Sequence, residues 1–196
     1  MPAESDLLVA ERCQRLTQGA GLTVAAHQAV LLALRMIDAI DAELDLLRAE
    51  LAHLARRQPG CAALRDLYGV GPITAVAIWA EFGDVRRFSS SRHAVRHTGL
   101  DVTVYASDDK RAPGHLARQG PAVLRWALFE AAQCAARAGS PDHAYYTQVK
   151  ARLGGNRAAL SVARKLARRA YHLLRGLGDD ALAPVASSHR SAAAVA

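Results

Sequence analysis

CAALRDLYGVGPITAVAIWAEFG, residues 61–83, sets two apolar stretches on either side of Gly69-Val70-Gly71-Pro72. Alanine and leucine dominate both flanks, and both are strong helix formers. The spacing predicts a short helix running to Tyr68. The glycine pair then breaks it, and Pro72 falls in the first turn of a second helix, where a missing N–H costs nothing. Ile73, Val76, Ala77 and Ala80 carry that second helix. Two readings of the turn follow. In one it is a tight helix–helix connection with no ligand. In the other the glycines let the backbone approach an anion, and the free N–H groups at the second helix start favour it. Gly69, Gly71 and Thr74 are the candidate contacts in that case. The pattern resembles helix-hairpin-helix DNA-binding modules, although Pro72, Ile73 and Thr74 stand where many of those hairpins place a lysine.

Outward from this turn the chain reads as mainly α-helical. Upstream, residues 5–18 predict a first helix closed by Gly19 and Gly21, and Thr23 is positioned to cap the next. Val30, Ala33, Ile37, Ile40, Leu44, Leu47, Leu51 and Leu54 alternate three and four apart, the seam of a coiled coil. The same pattern also fits an amphipathic helix buried in its own domain. Gln58-Pro59-Gly60 ends that helix and marks the boundary between residues 1–58 and 59–178. Downstream, Ser89, Ser90 or Ser91 caps a basic helix through His97. Residues 100–106, LDVTVYA, alternate and are β-branched, which predicts one short strand. Helices follow over 121–138, with Leu124, Leu128, Ala131 and Ala135 on one face, then over 142–153 and 157–175. Residues 179–196 read as a disordered tail.

Charge is unevenly placed. Across all 196 residues it is +7, but residues 59–178 hold 18 Lys and Arg against 8 Asp and Glu, whereas residues 1–58 hold 6 against 8. A concentrated positive field attracts polyanions, with DNA first among them. The alternative is a solvated, arginine-rich surface. Arg164, Lys165, Arg168 and Arg169 are candidate phosphate contacts on the last helix. Cys13, Cys61 and Cys134 have neither zinc spacing nor the pairing of a disulfide framework, which fits a reducing, cytoplasmic setting. No apolar run has the length of a membrane span, and MPAESDLL carries no signal-peptide pattern.

Residues 104–120, VYASDDKRAPGHLARQG, hold the remaining candidates. Ser107 is a turn residue by its neighbours, since Ser and Asp favour turns. Asp101, Asp108 and Asp109 have the chemistry of a divalent-cation site, but the same residues make a polar turn. His97 and His115 lie within sequence reach of Ser107.

Residues 61–178 resemble the C-terminal domain of the 110/116/902 insertion-sequence transposases, the Piv/MooV-type DEDD recombinases. The G-x-G-P-x-T-A hairpin, the Phe88-to-Leu100 block and Gly114-His115-Leu116-Ala117-Arg118-Gln119-Gly120 with Leu124-Arg125 carry the likeness. The resemblance implies a DNA transposase or recombinase in which Ser107 is the nucleophile on the scissile phosphate. Lys110, Arg111 and Arg118 then stabilise the charge on the phosphoryl oxygens, and Arg125 joins them as a DNA contact. It also implies a RuvC-like domain with four acidic residues and magnesium, and an element-encoded guide RNA. That acidic domain is expected to lie outside this chain, so no cofactor is expected here, and the long helix is expected to make a homo-oligomer. The family usually has Ser-Gly where this chain has Ser107-Asp108. Two other functions fit the same residues: a non-catalytic DNA-binding remnant of a transposase, and a coiled-coil interaction protein.

Overall fold

The computed structural model describes residues 21, 23–103, 106–107, 110–111, 115–117 and 119–184; between 102 and 115 it describes backbone alone. The helix expected over 5–18 and residues 185–196 of the tail lie outside that range. The chain divides into two compact units, Met1–Glu50 and Leu51–Ala196.

Helix α1, Val24–Arg57, runs for 34 residues. The Thr23 hydroxyl accepts from the Ala26 N–H at 3.3 Å, the cap expected at its start. In the first unit the seam is largely open: Ile40 is 56% exposed and Leu47 54%. The boundary between the units falls at Glu50–Leu51, inside α1. The reason is packing, because Leu51, Leu54 and Ala55 belong to the core of the second unit.

Among the described residues that second unit holds six further α-helices: α2 Pro59–Leu64, α3 Pro72–Phe82, α4 Ser91–His97, α5 Ala122–Gln133, α6 His143–Leu153 and α7 Gly155–Leu177. The mainly α reading therefore holds. Helix α7 is the central element, with α4, α5 and α6 all packed against it. Pro72 opens α3 with Gly71 as its cap, and the Ser90 hydroxyl caps α4 by accepting from the His93 N–H. Leu124, Leu128, Ala131 and Ala135 are buried as their spacing predicted.

Three expectations outside the strand segment change. Helix α2 stops at Leu64, four residues short of Tyr68, and 3₁₀-type bonds such as Val70 N–H to Leu67 O (3.0 Å) carry the chain to the turn. On α3 the buried residues are Ala75, Val76, Ile78 and Phe82, whereas Ile73 and Ala80 are exposed. This helix is apolar nearly all round, so spacing alone does not choose its face. The tail is ordered further than residue 178: Gly178–Leu182 form a 3₁₀ turn with Ala181 buried. Gln58, fully buried, holds that turn. Its Nε2 donates to Ala181 O (3.1 Å) and Ala183 O (3.2 Å), and its Oε1 accepts from the N–H groups that open α2. Trp79 Nε1 donates to the same Ala181 carbonyl at 2.7 Å.

The expected single strand is two short antiparallel pairs. β1, Val102–Thr103, pairs with β4, His115–Leu116; β2, Ala106–Ser107, pairs with β3, Lys110–Arg111. Val102 faces Leu116 and Thr103 faces His115, while Ala106 faces Arg111 and Ser107 faces Lys110. The returning segment thus has one more residue between the two pairs than the outgoing one, a one-residue offset in register.

Candidate functional site

Ser107 is in a strand rather than a turn. Its backbone pairs with Lys110, and Asp108 and Asp109 alone separate the two in sequence. Arg111 stands opposite Ala106. The hairpin backbone therefore brings Ser107, Lys110 and Arg111 to one end of the ladder. Arg118 lies outside the described residues, as do Asp108 and Asp109.

The other end of the hairpin is clasped. Gly99, at φ +68°, and Gly120 lie so close that a Cβ on Gly120 would stand 2.0 Å from His97 O and 2.7 Å from Gly99 N. The chain thus leaves α4 and returns to α5 through one crossing of two glycines. Arg125 donates from its guanidinium to Gly120 O at 2.5 Å. Arg164 reaches across from α7 and donates from Nε to Leu100 O at 2.7 Å. Burial pulls the Arg164 guanidinium below its ordinary value, and the neighbouring Asp101 carboxylate works the other way. Asp101 is held in turn: Arg96 Nε stands 3.4 Å from its Oδ2, and its carbonyl accepts from the Ala117 N–H at 2.9 Å. Leu100 is 1% exposed. Buried Thr98 accepts from the Leu100 N–H at 3.2 Å while donating to Val95 O at 2.6 Å. A charged donor on a carbonyl contributes about 1.5–3 kcal/mol, so Arg125 and Arg164 both hold the hairpin base. Sequence reasoning assigned those two arginines to DNA and overlooked Gly99, Gly120 and Thr98. The glycines were visible, but nothing in the chain says that residues 99 and 120 meet.

On the far side of α7, Lys165 Nζ donates to Asp142 Oδ1 at 2.7 Å, and Arg169 grips both oxygens of the same carboxylate at 2.5 and 3.0 Å. Asp142 is 3% exposed. Burial pushes its carboxyl up, but the bonds from Arg169 and Lys165 outweigh that and hold it below the usual aspartate value. Lys165 also lies over the Tyr145 ring, 4.3 Å from its centroid. Of the four cations expected to face phosphate on α7, Arg168 is exposed, whereas Arg164, Lys165 and Arg169 are half-buried.

The glycine turn lies apart from the hairpin. Gly69 has φ +86°, and a Cβ there would stand 2.3 Å from Ala131 O and 2.9 Å from Cys134 Cβ. Its glycine is needed by close packing on the end of α5, whereas Gly120 and Arg125 meet at the start of that helix. About ten residues of helix, roughly 15 Å, separate them. A Cβ on Gly71 would meet nothing closer than Thr74 Oγ1 at 3.9 Å, and the Thr74 hydroxyl donates back to Gly71 O at 3.0 Å. His97 turns to Arg87, with Nε2 3.1 Å from its NH2, and its ring packs on Phe88. Among the described residues no group of three or more His, Cys, Asp or Glu is gathered to hold a metal ion, and no described helix is long and apolar enough to cross a membrane.

The hairpin, the glycine turn and the clasp residues 99, 100, 120 and 125 fall within a single region of similarity, whereas Arg164 lies beyond it. Residues 61–147 match the transposase family IS116/IS110/IS902. The resemblance read over 61–178 is thus supported up to the start of α6. Over 88 residues the chain is 28% identical to the transposase for insertion sequence element IS1111A of Coxiella burnetii, covering 45% of this chain and 24% of that protein. Over 102 residues it is 30% identical to a "Probable family 20 transposase" of Pseudomonas aeruginosa, covering 48% and 30% respectively. The matched stretches span between about a quarter and a third of these transposases.

Proposed function

We propose that this chain works in DNA transposition as the serine-bearing, DNA-binding part of an insertion-sequence transposase. One observation carries the reading: the transposase match includes the hairpin on which Ser107 stands. The hydrogen-bonded clasp at residues 99, 100, 120, 125 and 164 supports it, since a nucleophile needs a fixed approach to phosphorus. In this scheme the Ser107 oxygen bonds to phosphorus and loses its proton. The P–O bond to one DNA strand breaks, and the leaving oxygen takes up a proton. A DNA hydroxyl then displaces serine, so the bond energy is kept for rejoining. Lys110 and Arg111, on the strand beside Ser107, supply positive charge to the phosphoryl oxygens. A RuvC-like acidic domain with magnesium and an element-encoded guide RNA complete the assembly, and α1 joins copies through its open seam.

The test is strand transfer. The chain, a RuvC-like acidic domain, guide RNA, magnesium and element-end DNA are combined, and joined product is counted by sequencing across the junction. Ser107→Ala is expected to remove the product while leaving DNA binding within twofold. Undiminished product from Ser107→Ala would overturn the nucleophile assignment.

A further inference from the structure

The outward face of α7 is one continuous basic track. The helix, GNRAALSVARKLARRAYHLLRGL, contains no acidic residue. Arg157, Arg164, Arg168 and Arg175 recur seven, four and seven residues apart, which returns them to within about 20° of one line at 3.6 residues per turn. The buried set from Ala158 to Leu174 takes the other side. The hydrogen-bond acceptors found for this row are neutral, with the Asp101 carboxylate near Arg164 as an anionic influence on it: Arg164 donates to Leu100 O, and Arg175 to Phe88 O (3.4 Å) and the Tyr171 hydroxyl. Bonds to carbonyls and a phenol orient a guanidinium without cancelling its charge. Lys165 and Arg169, by contrast, share the Asp142 carboxylate on the flank, which offsets one of their two charges. From Arg157 to Arg175 the row spans roughly 27 Å, a length over which one strand of B-DNA presents about eight phosphates.

We propose that Arg157, Arg168 and Arg175 form a backbone track for duplex DNA along α7, with Arg164 at its middle joining the track to the hairpin base. The inference rests on the DNA-binding reading above and names its surface. A duplex is indicated because Phe, Tyr and Trp are missing from the exposed side of α7, Tyr171 being buried, and single-strand binding relies on aromatic stacking. DNA rather than RNA is indicated by place: Arg164 ties this track to Leu100, the foot of the hairpin assigned to strand chemistry. Contacts of this kind read phosphate and not sequence.

The test uses the full chain, a fluorescein-labelled random-sequence 24-base-pair duplex and fluorescence anisotropy across a salt series. The row variant is Arg157→Gln/Arg168→Gln/Arg175→Gln; Arg164 is left in place because it clasps Leu100. The control, Arg65→Gln/Arg137→Gln/Lys150→Gln, removes the same charge from exposed sites elsewhere. The row variant should bind about tenfold or more weakly, and its slope of log K against log salt should be shallower by about 2.7, or 0.9 per phosphate contact. The matching triple lysine variant should recover most of the affinity, and circular dichroism melting confirms folding. If row and control variants weaken binding alike, the track is wrong while DNA binding stands. If the unsubstituted chain does not bind duplex at all, the functional reading itself fails. Duplex RNA that competes as well as duplex DNA would overturn the assignment to DNA.

Discussion

At the scale of single residues the account turns on Ser107 and its neighbour. A side chain and a negative charge follow the serine directly, and both oppose the approach of a phosphodiester. Asp108→Gly should therefore speed covalent attack about tenfold, equivalent to about 1.4 kcal/mol of barrier, measured as the initial rate of adduct formation with element-end DNA. A slower variant would mean that Asp108 assists the serine. The clasp gives a second residue-scale expectation. A methyl on Gly120 meets the backbone of residues 97–99, so Gly120→Ala should lower stability by about 2–4 kcal/mol in urea unfolding. Its φ is not in the left-handed region, so the cost is the close approach alone. The special residues were legible in the sequence. What Gly69, Gly120, Arg125 and Arg164 touch was not, because each contact joins segments whose meeting only the fold decides.

At the scale of elements, local grammar read well and long-range electrostatics did not. Thr23 and Ser90 cap the helices they were expected to cap, Pro72 opens α3, and α5 buries the face its spacing predicted. Each of those signals acts within one or two turns of chain. Lys165 and Arg169, however, read as phosphate contacts and proved to bind Asp142, 23 and 27 residues away. That triad predicts an acid dependence. The Asp142 carboxyl lies below its unfolded value of about 3.9, so its contribution is fully present above about pH 4. It is lost as pH falls through the lower folded value, because the unfolded chain binds the proton first. Asp142→Asn should cost about 1–3 kcal/mol at pH 7, less than a fully buried pair because Lys165 and Arg169 reach solvent. It should also flatten the fall in stability below pH 4, followed by thermal melting at stepped pH. An unchanged acid limb would place that dependence elsewhere.

At the scale of the whole molecule, a helical body carries two surfaces that its own described residues leave open: the apolar seam of α1 and the basic track of α7. Ile40, Leu44 and Leu47 are exposed along α1, a pattern that suits pairing with a second copy. Ile40→Lys/Leu47→Lys should shift sedimenting species to monomer at micromolar concentration. A chain already monomeric there before substitution would remove oligomerisation from the account. The central claim is that Ser107 bonds to DNA, and a covalent adduct tests it most directly. The chain is mixed with a RuvC-like acidic domain, guide RNA, magnesium and end-labelled element DNA, then resolved on a denaturing gel, with the linked peptide mapped by mass spectrometry. The account predicts a labelled band, absent from Ser107→Ala, whose peptide carries the phosphodiester on residue 107. No band, or a band that persists in Ser107→Ala, would contradict it.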